Sequence, residues 1–193
     1  MSATYLEHID GPAAWVGAEM AARPDQWIET LSDPEVAELR AAAANYLARG
    51  QDIGQITAAE FPLPGLAARL LELRAELITG RGFFLIKRLP VEEMSREEAA
   101  CIFCGIGAHL GSARSQNAMG HILGHVRDIG RNPDDPTTRI YQTHERQTFH
   151  TDGADVVALL CLSQAREGAT ACWFLPRRSG TRCIASARIW RSC

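Results

Sequence analysis

The chain has little with which to grip nucleic acid. Its 193 residues carry 20 Lys and Arg against 23 Asp and Glu, a net charge of -3, so no basic excess is available to neutralise phosphates. No interleaved arginines and aromatics suggest a base-stacking platform, and nucleic acid is not an expected partner. Long apolar runs are also missing. The longest stretch free of Asp, Glu, Lys and Arg, Ala99 to Ala113, falls short of the roughly 18 residues a spanning helix needs, so no membrane association is expected. The first twenty residues include Glu7, Asp10 and Glu19 and lack a basic start followed by an apolar run, so no secretion signal is expected. A cytoplasmic location follows as the expectation. With no G-x-S-x-G elbow and no G-x-x-x-x-G-K-[ST] loop, hydrolase and P-loop readings lack support.

What is present is enough for one globular domain spanning 1–193. Apolar residues make up 46% of the chain and charged residues 22%, which allows a real core but not two generous ones. Six cysteines stand unevenly at 101, 104, 161, 172, 183 and 193, and reduced thiols are the better reading without an export signal. Cys101 and Cys104 have the C-x-x-C spacing of a zinc half-site or redox motif. No second C-x-x-C lies at zinc-ribbon distance, so helix packing is the favoured role.

Capping signals and apolar spacing predict three helices. Ser32 with Glu35 three residues later opens a stripe of Val36, Leu39, Ala43 and Leu47 that ends at Gly50. After the turn-rich Phe61-Pro62-Leu63-Pro64-Gly65, Leu66, Leu70, Leu73 and Leu77 make a second stripe ending before Gly80 and Gly82. Ser95 and Glu98 repeat the cap, with Ala99, Ile102, Phe103, Ile106 and Leu110 as the apolar face up to Gly111. Between them, Gly82 to Arg88 is a short run of strand formers and predicts a buried strand. Further on, His121–Ile129 and Thr138–Thr143 predict strands across the polar turn Asn132-Pro133-Asp134-Asp135-Pro136. Val156 to Leu162 is a continuous apolar run and predicts a central strand buried on both faces. The pattern predicts helices packed outside a β core, an α+β architecture.

Just before that last run stands Thr148-Phe149-His150-Thr151-Asp152-Gly153. In extended chain, residues i and i+2 point to one side, so His150 and Asp152 can offer an imidazole nitrogen and a carboxylate oxygen to a single ion. One neutral and one anionic ligand are two thirds of the 2-His-1-carboxylate triad that holds iron(II) with open positions. On its own the tripeptide also reads as a surface or turn feature. His121 and His125, four apart, and His144 are further candidates for a missing ligand, with a strand edge or pocket wall as the bland alternative; His109 reads as a helix-end residue near the last carbonyls.

Phe149-His150-Thr151-Asp152-Gly153 followed by Asp155 and Val156 to Leu162 resembles the iron-binding segment of the TauD/TfdA-like (taurine dioxygenase-like) family, where an F-H-T-D stretch leads into an apolar strand. Gly80-Arg81-Gly82-Phe83-Phe84-Leu85-Ile86 resembles the strand that opens that family's catalytic core, and Ser95–Leu110, Gln116–Asp128 and Thr138–Thr143 follow in order. The resemblance covers roughly 80–168. It implies N-terminal helices on a partial double-stranded β-helix, or jelly-roll, core. It also implies iron(II)- and 2-oxoglutarate-dependent oxidation, usually hydroxylation, of a small organic substrate. His150 and Asp152 are then the catalytic metal ligands. From the loop after the third helix, Gln116 and Asn117 are candidates to bind the cosubstrate, and Arg146 is a candidate to pair with an anionic substrate group.

The chain departs from that family in its tail. The family's third ligand is a distant downstream His followed by a 2-oxoglutarate-binding Arg, yet no His follows His150. From Ala169 onward the chain has five Arg, three Cys and two Trp but no Asp, Glu or Lys, so 169–193 reads as an atypical tail, truncated or altered after about residue 168. Two other readings stand beside the dioxygenase: a catalytically inactive family remnant, and a small-ligand binding domain without iron chemistry. A shortened jelly roll leaves open sheet edges, so self-association is also expected.

Overall fold

Two of the helices begin where the sequence supplies caps. A computed structural model describes residues 10–116, 119–146, 150 and 153–163. Its elements run α1 (Gly17–Ala22), β1 (Ile28–Thr30), α2 (Asp33–Leu47), α3 (Ala67–Ile78), β2 (Leu85–Lys87) and α4 (Arg96–Leu110), with four short 3-10 turns between and after them. At the start of α2 the Glu35 carboxylate reaches back to accept from the Ser32 N–H and hydroxyl, both at 2.7 Å. At α4 the Ser95 hydroxyl accepts from the Glu98 N–H at 3.0 Å. These bonds satisfy backbone donors that the first helical turn leaves without partners. All three helices predicted from spacing are present within a few residues of their expected ends.

The chain divides into two compact units, Met1–Gly111 with Ala158–Cys193, and Ser112–Val157. In the first, α4 packs against both α2 and α3. The core joins Leu39, Ala43 and Tyr46 of α2, Leu70 and Leu73 of α3, and Cys101 and Ile102 of α4. Phe61 and Leu63, alternating with Pro62 and Pro64, turn inward from the loop and are 0% and 1% exposed. Each such side chain contributes about 1.5–3 kcal/mol by leaving water. The Tyr46 hydroxyl, carried into the core by its ring, donates to the Asp52 carbonyl at 2.8 Å.

β1 and β2 pair in parallel, Ile28 opposite Leu85 and Thr30 opposite Lys87, and the crossover between them carries α2 and α3. This is the strand expected within Gly82–Arg88. It is half-buried rather than fully buried, because Phe84 and Ile86 reach the core while the pair has no further strand beside it among the described residues.

Arg69 ties three elements together. Its guanidinium lies 2.6 Å from Glu29 of β1, 2.7 Å from Glu35 at the start of α2, and 3.4 Å from the Thr30 carbonyl. Burial would raise the Glu35 pKa, but the Ser32 N–H, the Ser32 hydroxyl and Arg69 outweigh it and hold the carboxyl below its ordinary 4.5. A group depressed in the folded state contributes stability that is present above its unfolded value and lost as pH falls through the folded one. Arg69→Met should therefore cost roughly 1–3 kcal/mol near neutral pH, the range of charge-assisted hydrogen bonds to partly buried groups. The deficit should shrink well below pH 4.5. Urea unfolding at the two pH values reads both effects, and an equal deficit at both would remove the carboxylates from the account.

Arg88, just after β2, is the one non-glycine residue described with a positive φ, +71°. An L side chain in that region costs about 1–2 kcal/mol. Its guanidinium reaches Asp33 at 2.6 Å, but the two side chains are 56% and 86% exposed, which limits the pair to less than about 1 kcal/mol. Arg88→Gly is expected to be neutral or up to about 1 kcal/mol more stable, and Arg88→Ala less stable than either. Chemical denaturation of the three proteins decides it; an alanine variant more stable than the glycine variant would rule out backbone strain.

The expected β core is where the structure departs from the sequence reading. His121–Ile129 and Thr138–Thr143 are not strands. Ile140–Gln142 is a 3-10 turn, and the two segments are joined by Arg127 and Ile129 N–H groups donating to the Tyr141 and Gln142 carbonyls, both at 3.0 Å. The turn between them is present: Asp135 N–H donates to the Asn132 carbonyl at 3.2 Å, and Asp134 N–H to the Asn132 side chain at 3.0 Å. Nor is Val156–Leu162 a doubly buried central strand, since Val157 and Leu159 are 56% and 65% exposed. A central strand needs a neighbour on each edge. Among the described residues the one sheet is β1–β2, and neither strand pairs with this run. No helix among them is long and apolar enough to cross a membrane.

Candidate active site

The described candidate residues all stand in the Ser112–Val157 unit, on segments without regular secondary structure. Gln116 follows the loop that leaves α4 at Gly111. Its backbone N–H donates to the His121 carbonyl at 2.6 Å, and its side-chain amide donates to the Arg114 carbonyl at 3.1 Å. Arg146 and His150 are both exposed, as are His121 and His125. His144 lies 3.6 Å from Glu145 with both side chains in solvent. Asn117 and Asp152, the other two predicted site residues, lie outside the described residues.

An iron(II) site of the predicted kind needs at least three convergent donors, and among the described residues no three His, Cys, Asp or Glu side chains come together. Asp152 lies outside those residues, and the chemistry of the donor pair, one imidazole and one carboxylate, suits iron(II). His150 is the one residue of the predicted ligand pair whose position is described, and it is exposed.

Other clusters carry no competing chemistry. Cys101 is fully buried on α4 with its Sγ 4.0 Å from the Ala43 carbonyl. Burial first, and the nearby Glu97 second, push its thiol up to about 11; burial, then Cys101 and Asp52, push Cys104 up to about 11 as well. Both stay protonated near neutral pH, whereas metal binding and thiol exchange need thiolates. This agrees with helix packing as their role. His109, in the last turn of α4, does not serve its own helix carbonyls. Its Nε2 lies 2.9 Å from the Phe61 carbonyl and pins the Phe61–Gly65 loop to α4. An open groove of about 380 Å³ lies between α2 and that loop, lined by Glu38, Asn45, Arg49 and Glu60 over Ala42 and Pro62. Glu38 already accepts from Gly65 N–H, and Arg49 donates to the Glu60 carbonyl, so the groove's charged groups serve the fold. None of the described site candidates lines it.

Comparison with known proteins shows the family. Residues 20–188 match the family described as taurine catabolism dioxygenase TauD, TfdA family, a stretch that begins well before residue 80 and continues past 168. The FR-33289 synthase of Streptomyces rubellomurinus is 29% identical over 161 residues, 83% of this chain and 47% of the synthase. The taurine hydroxylase-like protein SAT17 of Stachybotrys chartarum is 29% identical over 167 residues, 83% of this chain and 43% of that protein. The chain thus spans about half the length of these curated relatives. The family implies a jelly-roll-type fold and dioxygenase-type oxidoreductase chemistry. Since the match takes in the helical core, the β1–β2 pair and the His150–Asp152 segment together, the chain belongs to the TauD, TfdA family of taurine catabolism dioxygenases.

Proposed function

We propose that this chain provides the His-x-Asp part of an iron(II)- and 2-oxoglutarate-dependent dioxygenase site that oxidises, by hydroxylation, a small organic substrate. The observation that carries the reading is Phe149-His150-Thr151-Asp152 inside the family match. A two-residue spacing puts an imidazole and a carboxylate on one side of an extended chain, the arrangement two cis ligands require. When bound, iron(II) with 2-oxoglutarate supplies the oxidising power that no amino-acid side chain has. The chain's own part is to bind and orient. His150 and Asp152 would hold the metal, Gln116 and Asn117 would donate hydrogen bonds to the cosubstrate, and Arg146 would pair with an anionic group of the substrate. The hydroxylase-like name of one relative supports hydroxylation as the outcome.

The alternative reading is a family remnant without catalysis. Anaerobic titration of the chain with iron(II) in the presence of 2-oxoglutarate separates the two: the dioxygenase reading expects the visible metal-to-ligand charge-transfer band and, on admitting oxygen, succinate. The remnant reading expects neither.

A further inference from the structure

Among the described residues of the Ser112–Val157 unit one is buried, and it is polar: Thr143, 8% exposed. Its hydroxyl is used twice, donating to the Ile140 carbonyl at 2.9 Å and accepting from the Glu145 N–H at 3.1 Å. The Thr143 N–H donates to the same Ile140 carbonyl at 3.0 Å. The hydroxyl thus ties the 3-10 turn Ile140–Gln142 to the start of the chain that leads to Phe149-His150-Thr151-Asp152. That turn is itself held, since the Tyr141 and Gln142 carbonyls accept from the Arg127 and Ile129 N–H groups, both at 3.0 Å. We propose, on the dioxygenase reading above, that Thr143 is a positioning residue for the His150–Asp152 ligand pair, its hydroxyl fixing how the chain leaves the turn toward those ligands.

A threonine hydroxyl offers one donor and two acceptor sites, so it can hold both partners at once, and valine of the same shape can hold neither. Burial keeps the donor in place, because a hydroxyl withdrawn from water without a partner is costly. The other bond serves order more than stability. Glu145 is exposed, so water takes over its N–H when the hydroxyl is lost, and the fold loses little. Order is what a ligand pair on an irregular segment needs. Its side chains have to be held within about 0.5 Å of their working geometry, and removing a group that orients a metal ligand weakens metal binding by about 10–100-fold. A hydroxyl bonded two residues ahead is also an ordinary way to form a turn, and that bland role carries no consequence for iron.

Thr143→Val, which removes the hydroxyl, and Thr143→Ser, which keeps it and removes the methyl, separate the two roles. In the iron-free proteins the Glu145 amide should exchange with deuterium several-fold faster in Thr143→Val, read by NMR, and at the parent's rate in Thr143→Ser. Anaerobic titration with iron(II) and 2-oxoglutarate, read by the charge-transfer band, should show affinity about tenfold weaker in Thr143→Val and restored in Thr143→Ser. Both variants should keep the parent's helical melting transition, since Thr143 stands outside the helical core. A Glu145 amide indifferent to Thr143→Val overturns the proposal at its first step. Iron affinity equal to the parent's, in a variant whose exchange has risen, overturns it at the second and leaves a turn former. A serine variant as weak as the valine variant assigns the effect to the methyl and overturns it too. A parent whose exchange answers to Thr143→Val but which forms no band defeats the dioxygenase reading, and the ligand role of Thr143 falls with it.

Discussion

His150→Ala is expected to abolish the charge-transfer band that iron(II) and 2-oxoglutarate form with the full chain, and to weaken iron binding by more than about a hundredfold. Replacing a residue that only orients a metal ligand already costs about 10–100-fold, and a ligand itself contributes more. Asp152→Asn should weaken binding less than His150→Ala and shift the band, because the amide keeps an oxygen donor but loses the charge that balances the cation. Arg146→Ala is expected to leave the band in place, since its assigned partner is the substrate and not the metal. Helical circular dichroism of each variant should match the parent, because His150 and Arg146 are exposed and stand outside the helical core. A band that survives in His150→Ala would sink the ligand assignment while leaving the family's chemistry intact. A folded parent chain with no band would sink the dioxygenase reading for this chain and favour the remnant.

The helical half of the fold was legible because its signals are local. Ser32 and Ser95 each sit three residues before a Glu, and the apolar positions that follow recur at helical spacing, so caps and buried faces are fixed within a dozen residues. The strand near Leu85 was legible by composition, but its parallel partner Ile28–Thr30 was not, since nothing local marks a three-residue strand whose pairing spans α2 and α3. Arg69 and Gly105 were missed for the same reason: each acts on residues far away in sequence, Glu29 and Phe61. The strands expected after residue 120 show the converse limit. β-branched composition says that a segment suits a sheet, and only a neighbouring strand makes it one. For Val156–Leu162 no such neighbour stands among the described residues, so the apolar pattern is present and the burial is not. The candidate site was legible as a motif, because His150 and Asp152 lie two residues apart. A facial triad needs one more donor, which the two-residue spacing does not reveal.

Gly105→Ala is expected to destabilise the helical unit by roughly 1–3 kcal/mol, against the direction that helix propensity alone dictates. In the interior of α4, alanine should gain about 0.5–1 kcal/mol over glycine. Here, however, a Cβ would come within 2.7 Å of three carbons of the Phe61 ring, closer than any real contact. The ring has nowhere to go. Phe61 is 0% exposed, sits among Leu63, Leu66 and Ile102, and has its carbonyl held by His109 of the same helix. Either α4 retreats from the loop or the ring leaves its rotamer, and each loses packing in a core at crystal-like density. Gly105→Val should be worse, since β-branching adds a second atom to the clash and lowers helix propensity. Shrinking the partner is the diagnostic. Phe61→Leu alone should cost stability through lost contact and a residual cavity, but combined with Gly105→Ala it should cost less than the sum of the two. Urea unfolding of the four proteins closes the double-mutant cycle. Strict additivity would mean that the two residues do not touch in solution, and a Gly105→Ala protein more stable than the parent would mean that α4 and the Phe61–Gly65 loop pack less closely than this structure holds.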